Sequence, residues 1–196
     1  MRIAHRGYSL VELLAALAVV AIICLVTVPA FGSMRRRSAV RLASYDLRTI
    51  FHQTRSRAIA RNRNAGVRFT KIASGWVFAV YDDGDGDGVR NDDITRGTDR
   101  LAVPARRVLR ESTLATIGLL PQTVTDPDGD RLLPTASPVQ FNASQLCSFS
   151  PLGESTPGTI YITDRAGELY AVRVYGATAK MRVLRYDGGR RRWEAR

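Results

Sequence analysis

The sequence predicts an α+β fold in which one long N-terminal helix, transmembrane in its first half and amphipathic in its second, packs on an antiparallel β-sheet head. Three observations carry the prediction. An apolar stretch from Tyr8 to Phe31 holds a single charge, Glu12. Beyond it, small and apolar residues recur at three- and four-residue steps as far as Ala58, the period of a helix with one buried face. After Gly66 the pattern changes to short β-branched and aromatic runs separated by turn residues, and a helix followed by such runs is the α+β order.

The apolar stretch reads YSLVELLAALAVVAIICLVTVPAF. Roughly 20 apolar helical residues cross the hydrocarbon of a bilayer, so it is long enough to span one. A polar leader, MRIAHRG, precedes it with Arg2 and Arg6, and Met34-Arg35-Arg36-Arg37 follows. Positive charge on both flanks leaves the orientation undecided by the positive-inside rule. Further on, Val40, Ala43, Leu47, Phe51, Thr54 and Ala58 line one helix face, while Arg37, Arg41, Arg48 and Arg55 line another. The helix is predicted from Ser9 to Arg61, fading at Asn62-Arg63-Asn64. At 1.5 Å per residue that is roughly 80 Å, more than a small domain covers, so its first half should project. Pro29 should kink it, because proline removes a backbone donor and crowds the preceding turn.

Strands are predicted over Val67–Phe69, Trp76–Tyr81, Val139–Phe141, Thr159–Ile162, Leu169–Tyr175 and Met181–Tyr186. Asp164-Arg165-Ala166-Gly167 reads as a hairpin turn between two of them. The stretch from Gly84 to Pro138, rich in Gly, Pro, Asp and Thr, predicts loops with short strands around Leu101 and Val108. The organisation that results is a leader over 1–7, a transmembrane helix over 8–31, its amphipathic continuation over 32–64 and a β-rich head over 65–196.

Composition removes several classes. With 45% hydrophobic residues in 196, the chain can bury a core and is not disordered. Two cysteines exclude a disulfide-dense scaffold and a four-cysteine zinc site, and two histidines leave little for imidazole catalysis. A formal charge of +11 permits an anionic partner without naming one. The skew of 27 Arg to two Lys is by itself weak evidence for phosphate binding.

Three readings compete for the N-terminus. A secretory signal peptide would use the same basic start and apolar stretch, with Val28-Pro29-Ala30 as a cleavage site. A plain membrane anchor is the second. The third begins from Glu12, since a carboxylate in an apolar span costs several kcal/mol without a partner. Cleavage after Gly7 would create that partner, the α-amino group of Tyr8 on the same chain or a neighbour.

The residues Gly7-Tyr8-Ser9-Leu10-Val11-Glu12-Leu13-Leu14 resemble the type IV prepilin cleavage and methylation motif, with Tyr8 in place of the usual phenylalanine. The resemblance implies that a prepilin peptidase cuts between Gly7 and Tyr8 and methylates Tyr8. It also places Glu12 and Pro29 at the fifth and twenty-second mature positions, where pilins carry these residue types. Farther along, Phe149-Ser150-Pro151-Leu152-Gly153, Pro157-Gly158-Thr159-Ile160-Tyr161-Ile162 and the stretch from Val172 to Val183 resemble segments of GspH/FimT pseudopilins. The family implies a type IV pilin-like fold and a minor pseudopilin of the type II secretion system, involved in protein secretion. The alternative it implies is a FimT-like minor pilin of a type IV pilus. Either would be a single-pass inner-membrane protein with its C-terminal head in the periplasm. Its partners would be other pseudopilins or pilins in a filament and the inner-membrane assembly platform. In such a filament Glu12 would meet a neighbour's α-amino group, and a mismatched register would leave both charges unpaired.

The head offers two further candidates. Asp83, Asp85 and Asp87 alternate before Gly88, as the first half of an EF-hand loop does, with Asn91 at position nine. Position twelve is Ile94 rather than glutamate, so a full EF-hand is missing, and Asp92 and Asp93 are the candidate substitutes. Calcium is therefore the one cofactor the sequence suggests, beside the plainer reading of a solvated acidic turn; none is required. Asp126-Pro127-Asp128-Gly129-Asp130 reads as a turn. Some FimT-like pilins bind DNA through a Gly-Arg-x-Arg motif. Here the corresponding hairpin keeps Lys180 and Arg182, and a literal match with Arg190 and Arg192 lies in the tail before Trp193. Phosphate contact and base stacking by Trp193 compete there with a plain solvated tail. An enzyme is not expected. Removing the leader leaves His52 alone among arginines, Ser155 lacks nucleophile-elbow spacing, and Cys147 has no evident base.

Overall fold

Fifty-two residues, Leu10–Arg61, form a single helix, α1. The computed structural model describes residues 9–109 and 114–196, and for residues 26–30 the helical backbone only. The chain divides into two compact units, one reaching Arg36 and the other running from Arg37 to Arg196. In the first, every leucine, isoleucine and valine from Leu10 to Leu25 is more than half exposed. Among the described residues no helix is long and apolar enough to cross a membrane; the stretch predicted to span includes the side chains of 26–30, which lie outside that set.

In the second unit α1 buries the predicted stripe. Val40, Leu47, Phe51 and Ala58 are fully buried, and Ala43 and Thr54 nearly so. Ser44 joins them by turning its hydroxyl to the carbonyl of Val40 at 2.8 Å, which satisfies the only polar group it brings inside. The helix stops where Asn62 takes a left-handed φ of 48°. The amide of Arg63 then bonds back to Ala58 O and that of Asn62 to Ile59 O, both at 3.2 Å, the double closure of a Schellman end.

Two antiparallel sheets cover this face. In the first, the order is β3 (Arg100–Arg107), β2 (Gly75–Asp82), β1 (Ala65–Ile72) and β8 (Leu146–Phe149). In the second, β12 (Arg192–Ala195), β11 (Lys180–Asp187), β10 (Leu169–Tyr175) and β9 (Gly158–Thr163) lie in that order. The outer edge of β9 is taken by β7 (Val139–Gln140) and β4 (Thr116–Ile117). Asp164 makes the predicted β9–β10 turn by accepting from the amides of Ala166, Gly167 and Glu168 at 2.8–3.0 Å.

Successive side chains of a strand point to opposite faces, and the second sheet uses both. Ile160, Ile162, Tyr170, Val172 and Val183 join α1 and the first sheet in one core. Tyr161, Ala171, Leu184 and Tyr186 form a smaller core with Val124 of β5 (Val124–Thr125) and Leu132 of β6 (Arg131–Leu132). Phe51 sits at the meeting point of the larger core. Its ring lies 5.8 Å from Phe69, 5.7 Å from Phe141 and 6.2 Å from Phe149. Close approach is also built in at Gly158, where a Cβ would stand 2.3 Å from the Gln140 carbonyl oxygen and from the Phe141 ring.

Two carboxylates tie α1 to the sheets. Asp82 on β2 receives Arg57 at 2.5 and 2.7 Å and Arg61 at 2.9 Å. Glu168 receives Arg37 at 2.9 Å and Arg185 at 3.0 and 3.1 Å. The bonds from Arg57 above all hold the Asp82 carboxyl below its ordinary range.

The structure corrects the sequence reading in three places. Between Gly84 and Pro138 a helix, α2 (Asn91–Arg96), precedes one eight-residue strand, β3, where two short strands were expected. Pro104 sits in β3, which is an edge strand with shifted register beside it, the place a sheet tolerates proline. β8 was missed because four residues carry no readable period. The C-terminal residues are not a solvated tail. They form β12, paired to β11 from Leu184↔Ala195 to Asp187↔Arg192.

Replacing Phe51 by alanine removes a fully buried ring shared by three others and should destabilise the fold by about 3–5 kcal/mol. The midpoint of chemical denaturation measures it, and a loss under about 1 kcal/mol would mean that the core closes without this ring.

Candidate functional site

At the N-terminus, Gly7 and Tyr8 lie outside the described residues. Glu12 falls in the first turn of α1, where the positive end of the helix dipole favours a carboxylate. The helix continues through Pro29, whose side chain is also outside the described set. The residues after Leu10 present an apolar surface with this one acid on it. Such a surface is suited to packing against lipid or other apolar helices.

The Asp-Gly loop is organised by buried carboxylates. Asp83, only 2% exposed, accepts from the amides of Asp85 at 3.2 Å, Gly86 at 2.7 Å and Gly88 at 2.9 Å, and from Asn64 Nδ2 at 2.7 Å. Burial alone would raise this carboxyl, but the Asn64 and amide bonds outweigh it and hold the group below its ordinary range. Asp99, 3% exposed, closes the far side by accepting from Gly84 N at 3.1 Å and Arg90 N at 2.9 Å. The chain is so tight there that a Cβ on Gly84 would stand 1.9 Å from Thr98 O. Sequence reasoning passed over Asp99, whose signal was an aspartate closing a Gly-rich loop just after Gly97.

Asp83, Asp85 and Asp87 each offer an oxygen, and the three lie within 4.8 Å of one another. That spacing lets one divalent cation bridge them. Of the rest of the predicted ligand set, Asn91 keeps its Oδ1 buried without a partner among the described residues. Asn91 donates Nδ2 to Ser144 O at 3.1 Å, and buried Asp93 pairs with Arg96. Loss of solvent contact raises the Asp87 carboxyl; Asp85 and Asp93 add repulsion while Arg90 opposes it.

The four basic residues proposed for DNA do not meet. Lys180 and Arg182 begin β11, whereas Arg190 and Arg192 belong to its other end, where Asp187 pairs with Arg192. Five residue steps along the strand separate Arg182 from Asp187, roughly 17 Å. Near the first pair, Arg173 and Arg182 stand over the Tyr175 ring at 5.3 and 5.9 Å. At the other end, Glu194 pairs with Arg190, Arg192 and Arg196 at 3.2–3.3 Å. Trp193 is engaged as well: its ring packs 5.3 Å from Tyr186, and Nε1 donates to Thr125 O at 2.8 Å. The tail thus packs its indole within the fold, while Arg190, Arg192 and Arg196 share one carboxylate at the surface.

On α1, Arg48 Nε donates to His52 Nε2 at 3.3 Å. Desolvation first, then the charges of Arg48 and Arg55, hold His52 below its ordinary 6.5, so the imidazole is neutral at pH 7. Cys147 is wholly buried and its thiol is pushed well up by burial, which suits packing rather than nucleophilic attack.

Comparison with known proteins supplies two matches. A family model described as type II transport protein GspH matches residues 43–178, more than half of the 196-residue chain. A model of the prokaryotic N-terminal methylation motif matches residues 2–28. No curated protein and no solved structure matches.

The His52 environment has a direct readout. An NMR titration should place its midpoint below 6.5, and Arg48→Gln should move it upward. A midpoint above that ordinary value would contradict the clustering of positive charge on this side of α1.

Proposed function

The chain belongs to the type II transport protein GspH family, and we propose that it serves as a minor pseudopilin, a structural subunit of the type II secretion pseudopilus that acts in protein secretion by assembly rather than by catalysis. In this reading a prepilin peptidase cuts after Gly7 and methylates Tyr8. The apolar part of α1 then holds the protein in the inner membrane, the head lies in the periplasm, and other pseudopilins and the assembly platform are its partners.

One observation carries the reading. A helix surface of uncovered leucine, isoleucine and valine from Leu10 to Leu25 contains one carboxylate, Glu12, within the stretch matched by the methylation motif. In lipid such an acid is costly. Beside the α-amino group of a processed neighbour it is paired, and only the matching axial register pairs it. Assembly then gains both apolar burial and a fixed step between subunits.

A FimT-like pilin of a type IV pilus is the second reading, and Arg182 over the Tyr175 ring beside Lys180 favours it as a surface for phosphate and base, Arg173 being held by Asp128 at 2.6 Å. DNA binding that is lost in Lys180→Gln with Arg182→Gln would select that reading. Calcium at Asp83, Asp85 and Asp87 is a further part of the proposal, supported by the convergence of their oxygens. The ion would relieve the mutual repulsion of these carboxylates and brace the loop.

Mass spectrometry of the mature protein should find N-methylated tyrosine at residue 8; any other first residue overturns the reading. Glu12→Ala should leave cleavage and membrane insertion intact but lower incorporation into filaments, and unchanged incorporation would remove the pairing role. Millimolar calcium should raise the melting temperature by several degrees relative to chelator, an effect abolished by Asp85→Asn with Asp87→Asn. Identical melting with and without calcium would leave only an acidic turn.

A further inference from the structure

We infer that the arginine side of α1 from Arg41 to Arg55 is a docking strip for an acidic α-helix of a different pilin-like subunit, one that presents carboxylates at seven-residue spacing. The inference rests on the assembly reading above and adds the chemistry of one partner.

Arg41, Arg48 and Arg55 stand seven residues apart, so they drift only about 20° per step around the helix and keep to one side. Each step is about 10.5 Å, and the whole strip about 21 Å. Elsewhere on the same helix Arg37, Arg57 and Arg61 each have a carboxylate at 2.5–2.9 Å. Among the described residues Arg41, Arg48 and Arg55 have none within ion-pair distance, and Arg55 Nε is buried without an acceptor. Asp46, the only acid of α1 beyond Arg37, projects roughly 160° away from Arg48 at about 100° per residue. His52 lies between Arg48 and Arg55, its imidazole kept neutral by desolvation and by their charge, and it accepts from Arg48 rather than adding a fourth cation.

Charge complementarity selects the occupant. A second processed copy of this chain would bring the same three cations and a formal net charge of +9 once Arg2 and Arg6 leave with the leader, so this side repels its own kind. A nucleic-acid strand carries a phosphate about every 3.4 Å, so about two of every three of its charges would face no guanidinium on this strip. A helix with glutamate or aspartate once per heptad repeats at the same interval and can place each carboxylate opposite one guanidinium, as flanking charges do in coiled coils.

The test uses the full chain in detergent micelles and three 21-residue helical peptides: one with glutamate at three heptad positions, one with glutamine there, and one with three glutamates off the heptad. In fluorescence anisotropy at low salt, the heptad-glutamate peptide should bind about tenfold more tightly than either control. The difference should vanish in Arg41→Gln/Arg48→Gln/Arg55→Gln, whose fold is checked by circular dichroism. Arg41→Gln, at an exposed position, should by itself reduce the difference about twofold and serves if the triple variant does not fold. Equal binding of the off-heptad peptide, tighter binding of a 21-nucleotide single strand, or unchanged discrimination in the variants would overturn the strip. Those results with a methylated Tyr8 terminus would leave the assembly reading standing, whereas an unprocessed terminus would overturn that reading whatever the peptides do.

Discussion

From Val40 to Ala58, α1 must hide one narrow face, and two sheets from distant parts of the chain meet over it. Phe51 is where this constraint is most concentrated. Its ring touches one phenylalanine from β1, one at the end of β8 and one just after β7, so three separate stretches of chain are fixed relative to the helix by a single buried side chain. Burial of this kind is worth about 25 cal/mol per Å² of apolar surface, and it is what makes a thin helix with a mixed surface hold a definite position. The close packing at Gly158 follows from it, because β7 can reach β9 beside Phe141 only where no Cβ intervenes.

Around that core, the chain's many arginines divide by what faces them. Arg37, Arg57, Arg61 and Arg185 meet Glu168 or Asp82 and fasten the helix to each sheet. Arg190, Arg192 and Arg196 share the single carboxylate of Glu194 at the surface, which offsets one of their three charges. Among the described residues, the arginines at heptad spacing on α1 have no such acid. A large net charge is thus less informative about partners than the particular cations that the fold leaves uncompensated.

The acids show the same division of labour. Asp83 and Asp99 are buried because backbone amides replace the water they lose, the condition for hiding a charged group. Asp85 and Asp87 stay exposed beside Asp83. Glu12 is a different case, an acid on an apolar helix surface whose natural complement lies on another molecule. Each carboxylate is therefore intelligible only together with the donors around it.

The sequence alone determined the helix and its buried face, since a 3.6-residue period sustained over many turns fits a one-sided helix and no strand; all six residues from Val40 to Ala58 that the period selects are buried. It also determined the β9–β10 hairpin, which is local, and the N-terminal motif, whose residue types and spacing need no fold to be read. Only the tertiary structure decided that Arg192 and Trp193 belong to a strand, because that strand exists through pairing with β11 and contact with Tyr186. Likewise, the wide separation of the two pairs of C-terminal cations, the second small core beneath β5 and β6, and the role of Asp99 as a loop clasp depend on which distant segments come together. Periodicity records what a segment needs buried; it carries no record of which partner buries it.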